Sequence, residues 1–412
     1  MRSNKLTKRC QIMKILFVYD GEYPWDIRVE KLCNSFIKHC HEVHLVCRNK
    51  ERKLKNETYN QINIHRISSL PAIFGKINNA VTFPAFFSPV WLFEIFSQAK
   101  KNKCDVIVVR DLPMALAAVW IGKLLQLPVI LDMAECYPEM LRCIRNFEGF
   151  KFKNIFLRNP LLADIVEKNV MKKIDAVMVM VEESRARLIA KGVDEEKIFL
   201  VSNTPEVNKF TCSAYGYDPE NVIKLLYVGL ISRSRGIDIC INAVKKYIEV
   251  TGKKIIFSIA GTGGDSKRLH KIISDLQITD NVNFLGWVDN KKVPHLIQDN
   301  NVCVVPHRRC SHWENTIPNK LFDYMAAGRP VLVSDVSPMK RIVNETDSGL
   351  VYRDSDVNDL VAKLIHLSDQ KIRDGFGEKG RSAVLNKYNW ANEETTVVKM
   401  FDKLRVNSPV YA

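Results

Sequence analysis

The feature that most limits the fold is a local unit that occurs twice. A short apolar run, Lys14–Tyr19 (KILFVY), stops at Asp20-Gly21. It is followed by residues 25–37, where Ile27, Val29, Leu32 and Phe36 recur at helical spacing. About two hundred residues later Ile223–Val228 stops at Gly229 and a second alternation begins. A strand that runs into a glycine turn and then a helix opens a parallel βαβ unit, because parallel strands need a crossover connection. Further strands are predicted at 42–47, 105–109, 129–131, 175–180 and 198–201. In the second series they fall at 255–260, 282–285, 302–305 and 331–333. Residues 204–220, rich in Pro, Ser, Asn and Gly, read as a linker. The predicted class is therefore α/β: two Rossmann-like domains, 1–205 and 206–386, each a parallel sheet covered on both faces. A length of 412 residues fits two such domains.

Several functions are poorly supported. Neither Gly229 nor Gly261-Thr262-Gly263-Gly264 completes a G-x-G-x-x-G, which weakens a dinucleotide-dependent oxidoreductase. The eleven cysteines form no C-x-x-C pair and are odd in number, which suits free thiols in a reducing compartment. His307, Cys310 and His312, with Cys303 nearby, match no zinc spacing, so no metal is expected. Asp354-Ser355-Asp356 precedes a helical stretch and reads as a cap. Asp26 and Arg28 read as an ion pair, and His41 and His44 as residues of a turn and a strand.

The net charge of +15 calls for an anionic partner: a phosphate-bearing ligand, an anionic membrane face or nucleic acid. No nucleic-acid-binding motif is present, so nucleic acid is not the expected partner. Ten of the fifteen net charges fall in residues 1–205. That half also carries two aromatic and basic stretches, 73–103 and 147–158, which suit an anionic bilayer surface or, equally, core aromatics with a solvated rim of lysines. The apolar runs 81–96 and 112–122 are not spanning helices: the first holds Pro84, Pro89 and Glu94, and the second is eleven residues long. A cytoplasmic protein, peripheral at the inner membrane face, is the expectation.

The chemistry concentrates in residues 315–332, NTIPNKLFDYMAAGRPVL. Pro318 suits a first helical turn, Thr316 is a candidate cap before it, and Gly328 ends the helix. Lys320 adds a cation at a helix start, which is unfavourable unless an anion sits close by. Asp323, a turn further on, is placed to accept hydrogen bonds from sugar hydroxyls.

This segment resembles the P-x-K-[LF]-x-E-Y-M-A-x-G-x-P-V signature of glycosyltransferase family 4, bacterial polysaccharide branch, with Asp323 in place of the usual glutamate. The resemblance extends along nearly the whole chain. KILFVYDGEYPWDIRVEKL is similar to the family's opening strand, glycine turn and D-x-R-V helix. LDMAECYPE (131–139) resembles its D-x-H-[DE]-x-[YW]-P-E stretch, LYVGLISRSRGID (226–238) its phosphate loop, and FLGWV (284–288) its base-holding strand end. Tyr388-Asn389-Trp390 resembles the start of a closing helix, 387–412, that returns to the first domain.

The resemblance implies a GT-B fold, with the two Rossmann-like domains facing each other across a cleft. It implies transfer of a sugar from a UDP- or GDP-linked donor to a saccharide or polyprenyl-linked acceptor in cell-surface polysaccharide biosynthesis, with retention and without a metal or other cofactor. Lys320 and Arg235 would neutralise the departing diphosphate, with Arg233 beside them. Asp323 and Thr316 would hold the donor, Gly286 and Trp287 would frame its base, and Gly21 would admit the transferred sugar. Where many relatives have histidine this chain has Ala134, so Glu135 is the candidate for acceptor contact and the acceptor's base stays unassigned. Arg308, Arg309 and His312 are further candidates for phosphate contact. A non-catalytic nucleotide-sugar-binding subunit and a nucleotide-sugar epimerase remain as alternatives on the same fold.

Overall fold

A computed structural model describes residues 12–24, 26–67, 86, 88–149, 159–210 and 222–407. Two sheets organise it. The first holds β1 (Lys14–Val18), β2 (Glu42–Cys47), β3 (Asn56–Tyr59), β4 (Ile62–Arg66), β5 (Val106–Arg110), β6 (Val129–Met133), β7 (Ala176–Val179) and β8 (Ile198–Leu200). Their order is β3-β4-β2-β1-β5-β6-β7-β8, and every pairing is parallel except β3 with β4. The second sheet holds β9 (Ile223–Val228), β10 (Ile255–Ala260), β11 (Val282–Gly286), β12 (Val302–Val305), β13 (Val331–Ser334) and β14 (Gly349–Tyr352). It is wholly parallel, in the order β11-β10-β9-β12-β13-β14.

The central strands are apolar on both faces because helices cover both. Leu16 and Val18 of β1 lie in one cluster with Trp91, Ile107 and Leu131. Ile15 and Phe17 lie in another with Leu32, Phe36 and Val108. Completing the second cluster is the last described helix, Trp390–Asn407: Trp390, Val397, Met400 and Phe401 pack into it. Trp390 Nε1 donates to Ser35 Oγ at 2.9 Å, and the Phe401 and Phe36 rings lie 5.1 Å apart. A chain that follows the second sheet thus finishes the core of the first.

The structure refines several expectations. The hairpin β3–β4 and the edge strand β14 were not predicted. The helix that opens the first domain runs over Ile27–Lys38, with Asp26 accepting from the Arg28 and Val29 amides. Arg28 pairs with Asp132, not with Asp26. Asp356 caps the helix Val357–His366, as its place in sequence suggested. Of the two aromatic and basic stretches, residues 73–85, 87 and 150–158 lie outside the described residues, as does most of the predicted linker. In the described part Phe86, Trp91 and Ile95 are core, whereas Phe93 is exposed. Among the described residues, no helix is long and apolar enough to cross a membrane.

Candidate active site

In open parallel sheets, ligands sit outside the carboxyl ends of the strands. Here the segments after β6 and β7 meet the one after β12. Thr316 Oγ1 donates to the Ala134 carbonyl at 3.2 Å, and Ala134, Met180 and Val181 share one apolar cluster with Trp313, Ile317 and Leu321. Arg341 forks onto Glu183 at 2.8 and 2.9 Å, and the Sγ atoms of Cys143 and Cys310 approach to 2.7 Å. All these contacts join the first sheet's layer to the second's.

The second-domain wall is rich in buried donors, three of which have no acceptor among the described residues. Lys320 Nζ is buried, has no hydrogen-bond partner among the described residues, and lies 4.0 Å from the Tyr227 ring centroid. Burial and the nearby Arg235 hold its pKa well below the usual lysine value, with Asp323 opposing them. Gly229 (φ +136°) makes room for it: a Cβ there would fall 2.6 Å from Nζ. Arg235 lies 4.3 Å over the Trp313 ring and donates to His307 Nε2. An arginine can only donate, so His307 carries its proton on Nδ1. His307 Nδ1 and Trp313 Nε1 are likewise buried and unpartnered. Buried donors are normally satisfied. One Nζ and two N–H groups without an acceptor among the described residues, beside the Arg235 guanidinium, outline a place for an anion.

Asp323 stands beside this wall. Burial raises its carboxyl to about pH 6, moderated by Lys31 and Lys320, and no side-chain hydrogen bond engages it among the described residues. Lys31 reaches over from the first domain. Its Nζ donates to the Thr204 carbonyl at 2.7 Å, and burial, offset first by Asp323, lowers it to about 8.

The first-domain wall is built on a buried carboxylate. Asp132 accepts from Arg28 Nε at 2.9 Å, Arg28 Nη2 at 2.6 Å and Arg110 Nη1 at 2.9 Å. Burial alone would raise its pKa; the two guanidinium groups more than reverse that. Arg110 Nε also lies 3.2 Å from Asp111. Asp111 has φ +58° and ψ 170°, a conformation costly for any residue with a side chain. Its carboxylate accepts the Glu135 N–H at 3.1 Å, and burial lifts it to about pH 7. Glu135 Oε2 lies 3.2 Å from His312 Nε2, and burial raises this carboxyl too.

The residues singled out in sequence divide into two groups. Lys320, Arg235, Asp323, Thr316 and Glu135 come together at the seam. Thr316 is not the helix cap: the helix is Lys320–Ala326, Asn319 is its cap position, and the Thr316 hydroxyl turns to the other domain instead. Seven residues make too short a helix for its dipole to matter, so the cations and donors define the pocket. Gly21 accommodates the Tyr19 ring, since a Cβ there would lie 2.3 Å from Tyr19 Cζ. Arg233 points outward, its side chain 60% exposed and 3.8 Å from Asp265. Trp287 is 74% exposed, and Gly286 (φ +67°) receives the Gly261 N–H at 2.6 Å. Arg308 is tied to Asp238 and Arg309 to Glu314, so neither joins the pocket. Sequence reading missed Lys31, Arg110, Asp111, Asp132 and Trp313. Arg110-Asp111 had a usable signal, a polar pair at the carboxyl end of an apolar strand.

Residues 26–204 match the glycosyl transferase 4-like domain, and residues 217–383 match the glycosyl transferases group 1 domain. A sucrose-phosphate synthase from Thermosynechococcus elongatus superimposes with a TM-score of 0.76 at 18% identity, over 96% of this chain and 100% of that one. The fold is that of a GT-B glycosyltransferase. The Anabaena protein HepE, solved in complex with UDP and glucose, gives a TM-score of 0.68 at 13% identity over 95% of this chain and 100% of that one. An uncharacterized glycosyltransferase of Methanocaldococcus jannaschii is 21% identical over 249 residues, 58% of this GT-B chain and 61% of the relative. The amylovoran biosynthesis glycosyltransferase AmsK of Erwinia amylovora is 24% identical over 185 residues, 44% of each. The chain thus spans between 44% and 61% of the length of these curated relatives.

Proposed function

We propose that the protein transfers a glycosyl group from a UDP- or GDP-linked donor to a saccharide acceptor in cell-surface polysaccharide biosynthesis. The observation that carries this reading is the buried, unpartnered Lys320 Nζ beside Arg235, at the seam between two glycosyltransferase-like domains. In this reading Lys320 and Arg235 bind the diphosphate. Asp323 accepts from the ribose hydroxyls, and the backbone around Gly286 and Trp287 frames the base. The bond from the anomeric carbon to the β-phosphate oxygen breaks, and the nucleoside diphosphate leaves with the electron pair. An acceptor oxygen bonds to the same carbon, and its proton passes to the departing phosphate. The developing negative charge is met by two preorganised cations in a site shielded from water, where such stabilisation is largest. Retention at the anomeric carbon, independence of metal, a lipid-linked acceptor and docking of the basic first domain on an anionic membrane complete the proposal.

The test is calorimetric titration of UDP and GDP, with and without magnesium, into the wild type, Lys320→Ala and Asp323→Ala. Micromolar binding of one nucleotide, weakened by both substitutions, supports the reading and names the base. No binding of either sinks it. Turnover with the matching sugar nucleotide, followed by product linkage analysis, separates transfer from epimerisation and from binding alone.

A further inference from the structure

One pair of side chains at the seam has no role in the arrangement above. His312 is 5% exposed and its ring tilts against Trp313, with centroids 4.5 Å apart; Arg235 lies over that same indole. Its Nε2 lies 3.2 Å from Glu135 Oε2, across the boundary between the domains. His312 Nδ1 and Glu135 Oε2 are both buried and make no hydrogen bond among the described residues. The carboxylate beside Nε2 places the imidazole proton on that nitrogen, which leaves Nδ1 as a bare lone pair. Burial and the Arg235 cation lower the His312 pKa to about 3, so the ring is neutral at physiological pH. A neutral lone pair next to a carboxylate repels a phosphate oxygen and accepts from a hydroxyl. Nδ1 is therefore a hydroxyl acceptor, and Oε2, which keeps a lone pair beyond the one facing Nε2–H, is a second; both are set beside a pocket whose own orphans are donors. The group bonded to a diphosphate in that pocket is the sugar.

We propose that His312 Nδ1 and Glu135 Oε2, one from each domain, accept hydrogen bonds from hydroxyls of the glycosyl group being transferred, and so set which sugar the enzyme takes. The proposal rests on the nucleotide-sugar reading, and the experiment separates the two. Free UDP and GDP, then UDP-glucose, UDP-galactose and GDP-mannose, are titrated into the wild type, His312→Leu and His312→Asn. Donor hydrolysis is measured on the same proteins. The leucine removes the acceptor; the asparagine amide oxygen replaces Nδ1. The expected result is that His312→Leu binds the free nucleotide within about twofold of the wild type, which also shows that it is folded. It loses about tenfold or more in affinity or kcat/KM for the sugar nucleotide, discriminates less between the glucose and galactose epimers, and is partly rescued in His312→Asn. Equal losses for the free nucleotide and its sugar derivative would overturn the proposal, as would unchanged sugar-nucleotide parameters in His312→Leu. If the loss falls only on an added saccharide acceptor, with donor hydrolysis intact, the pair serves the acceptor and the proposal is wrong. Failure of the wild type to bind any nucleotide is a different result: it removes the functional reading itself.

Discussion

A buried lysine Nζ that makes no hydrogen bond among the described residues and has only Asp323 to offset its charge costs several kcal/mol after relaxation, so replacing Lys320 should have two effects of opposite sign. Lys320→Met is expected to leave the melting temperature unchanged or raise it, while nucleoside diphosphate affinity falls by about 2–3 kcal/mol, roughly 30- to 150-fold. Scanning calorimetry and titration on the same samples check both. A residue kept only for stability would lose both together. Asp323 gives a second prediction. Its carboxyl is raised to about pH 6 by burial, so it is neutral below that pH and accepts ribose hydroxyls fully only above it. Nucleotide affinity should therefore rise as pH increases through about 6, and Asp323→Asn should flatten that step in titrations between pH 5 and 8. Lys320, Asp323 and Arg235 were legible in sequence because each lies in a short motif. The Arg28–Asp132–Arg110 knot was not: its partners are 104 and 22 residues apart, and only the sheet order brings them together.

The elements that shape the pocket are strand ends held close by glycine. Gly261 (φ +144°) packs so tightly on the loop after β9 that a Cβ would fall 1.9 Å from the Gly229 carbonyl oxygen. Gly261→Ala should destabilise the protein by about 1–3 kcal/mol or more through strained backbone and clash. It should also weaken nucleotide binding by shifting Gly229 away from Lys320; denaturant melts and titration would show both. The strand–glycine openings were visible in sequence because β1 and β9 are buried on both faces and so read as unbroken apolar runs. The β3–β4 hairpin escaped notice for the opposite reason. Its first strand, Asn56–Tyr59, is polar and at an edge. Its turn is made by Asn60 (φ +48°) and Gln61 (φ +64°) without the glycine that usually marks such turns. The helix at Lys320–Ala326 was predicted one turn too early because Pro318 and Thr316 fit a helix start locally. The contact of Thr316 with Ala134 is tertiary and leaves no local signature.

At the scale of the whole molecule, the seam between the domains carries a thiol pair. Cys310 is lowered to about pH 7, chiefly by its contact with Cys143 and against burial. Its thiolate should attack an added small-molecule disulfide such as oxidised glutathione, and Cys143 should then displace the mixed disulfide. The products are a Cys143–Cys310 bond and two molecules of reduced glutathione. Intact mass should fall by about 2 Da, turnover should drop because the domains are tied, and dithiothreitol should restore both. Cys143→Ser should stop the reaction at the mixed disulfide. The closing helix offers a further check. Trp390→Ala removes a buried ring and its bond to Ser35, and should cost about 3–5 kcal/mol, measured by chemical denaturation. That helix also bears on how the protein is made. Residues 12–67 emerge from the ribosome more than three hundred residues before residues 390–407, yet their apolar surface around Phe36 is covered only when that helix arrives. Translation at about 5–20 residues per second leaves that surface open for tens of seconds, an interval in which the nascent chain offers a binding site to a chaperone that the finished protein no longer has.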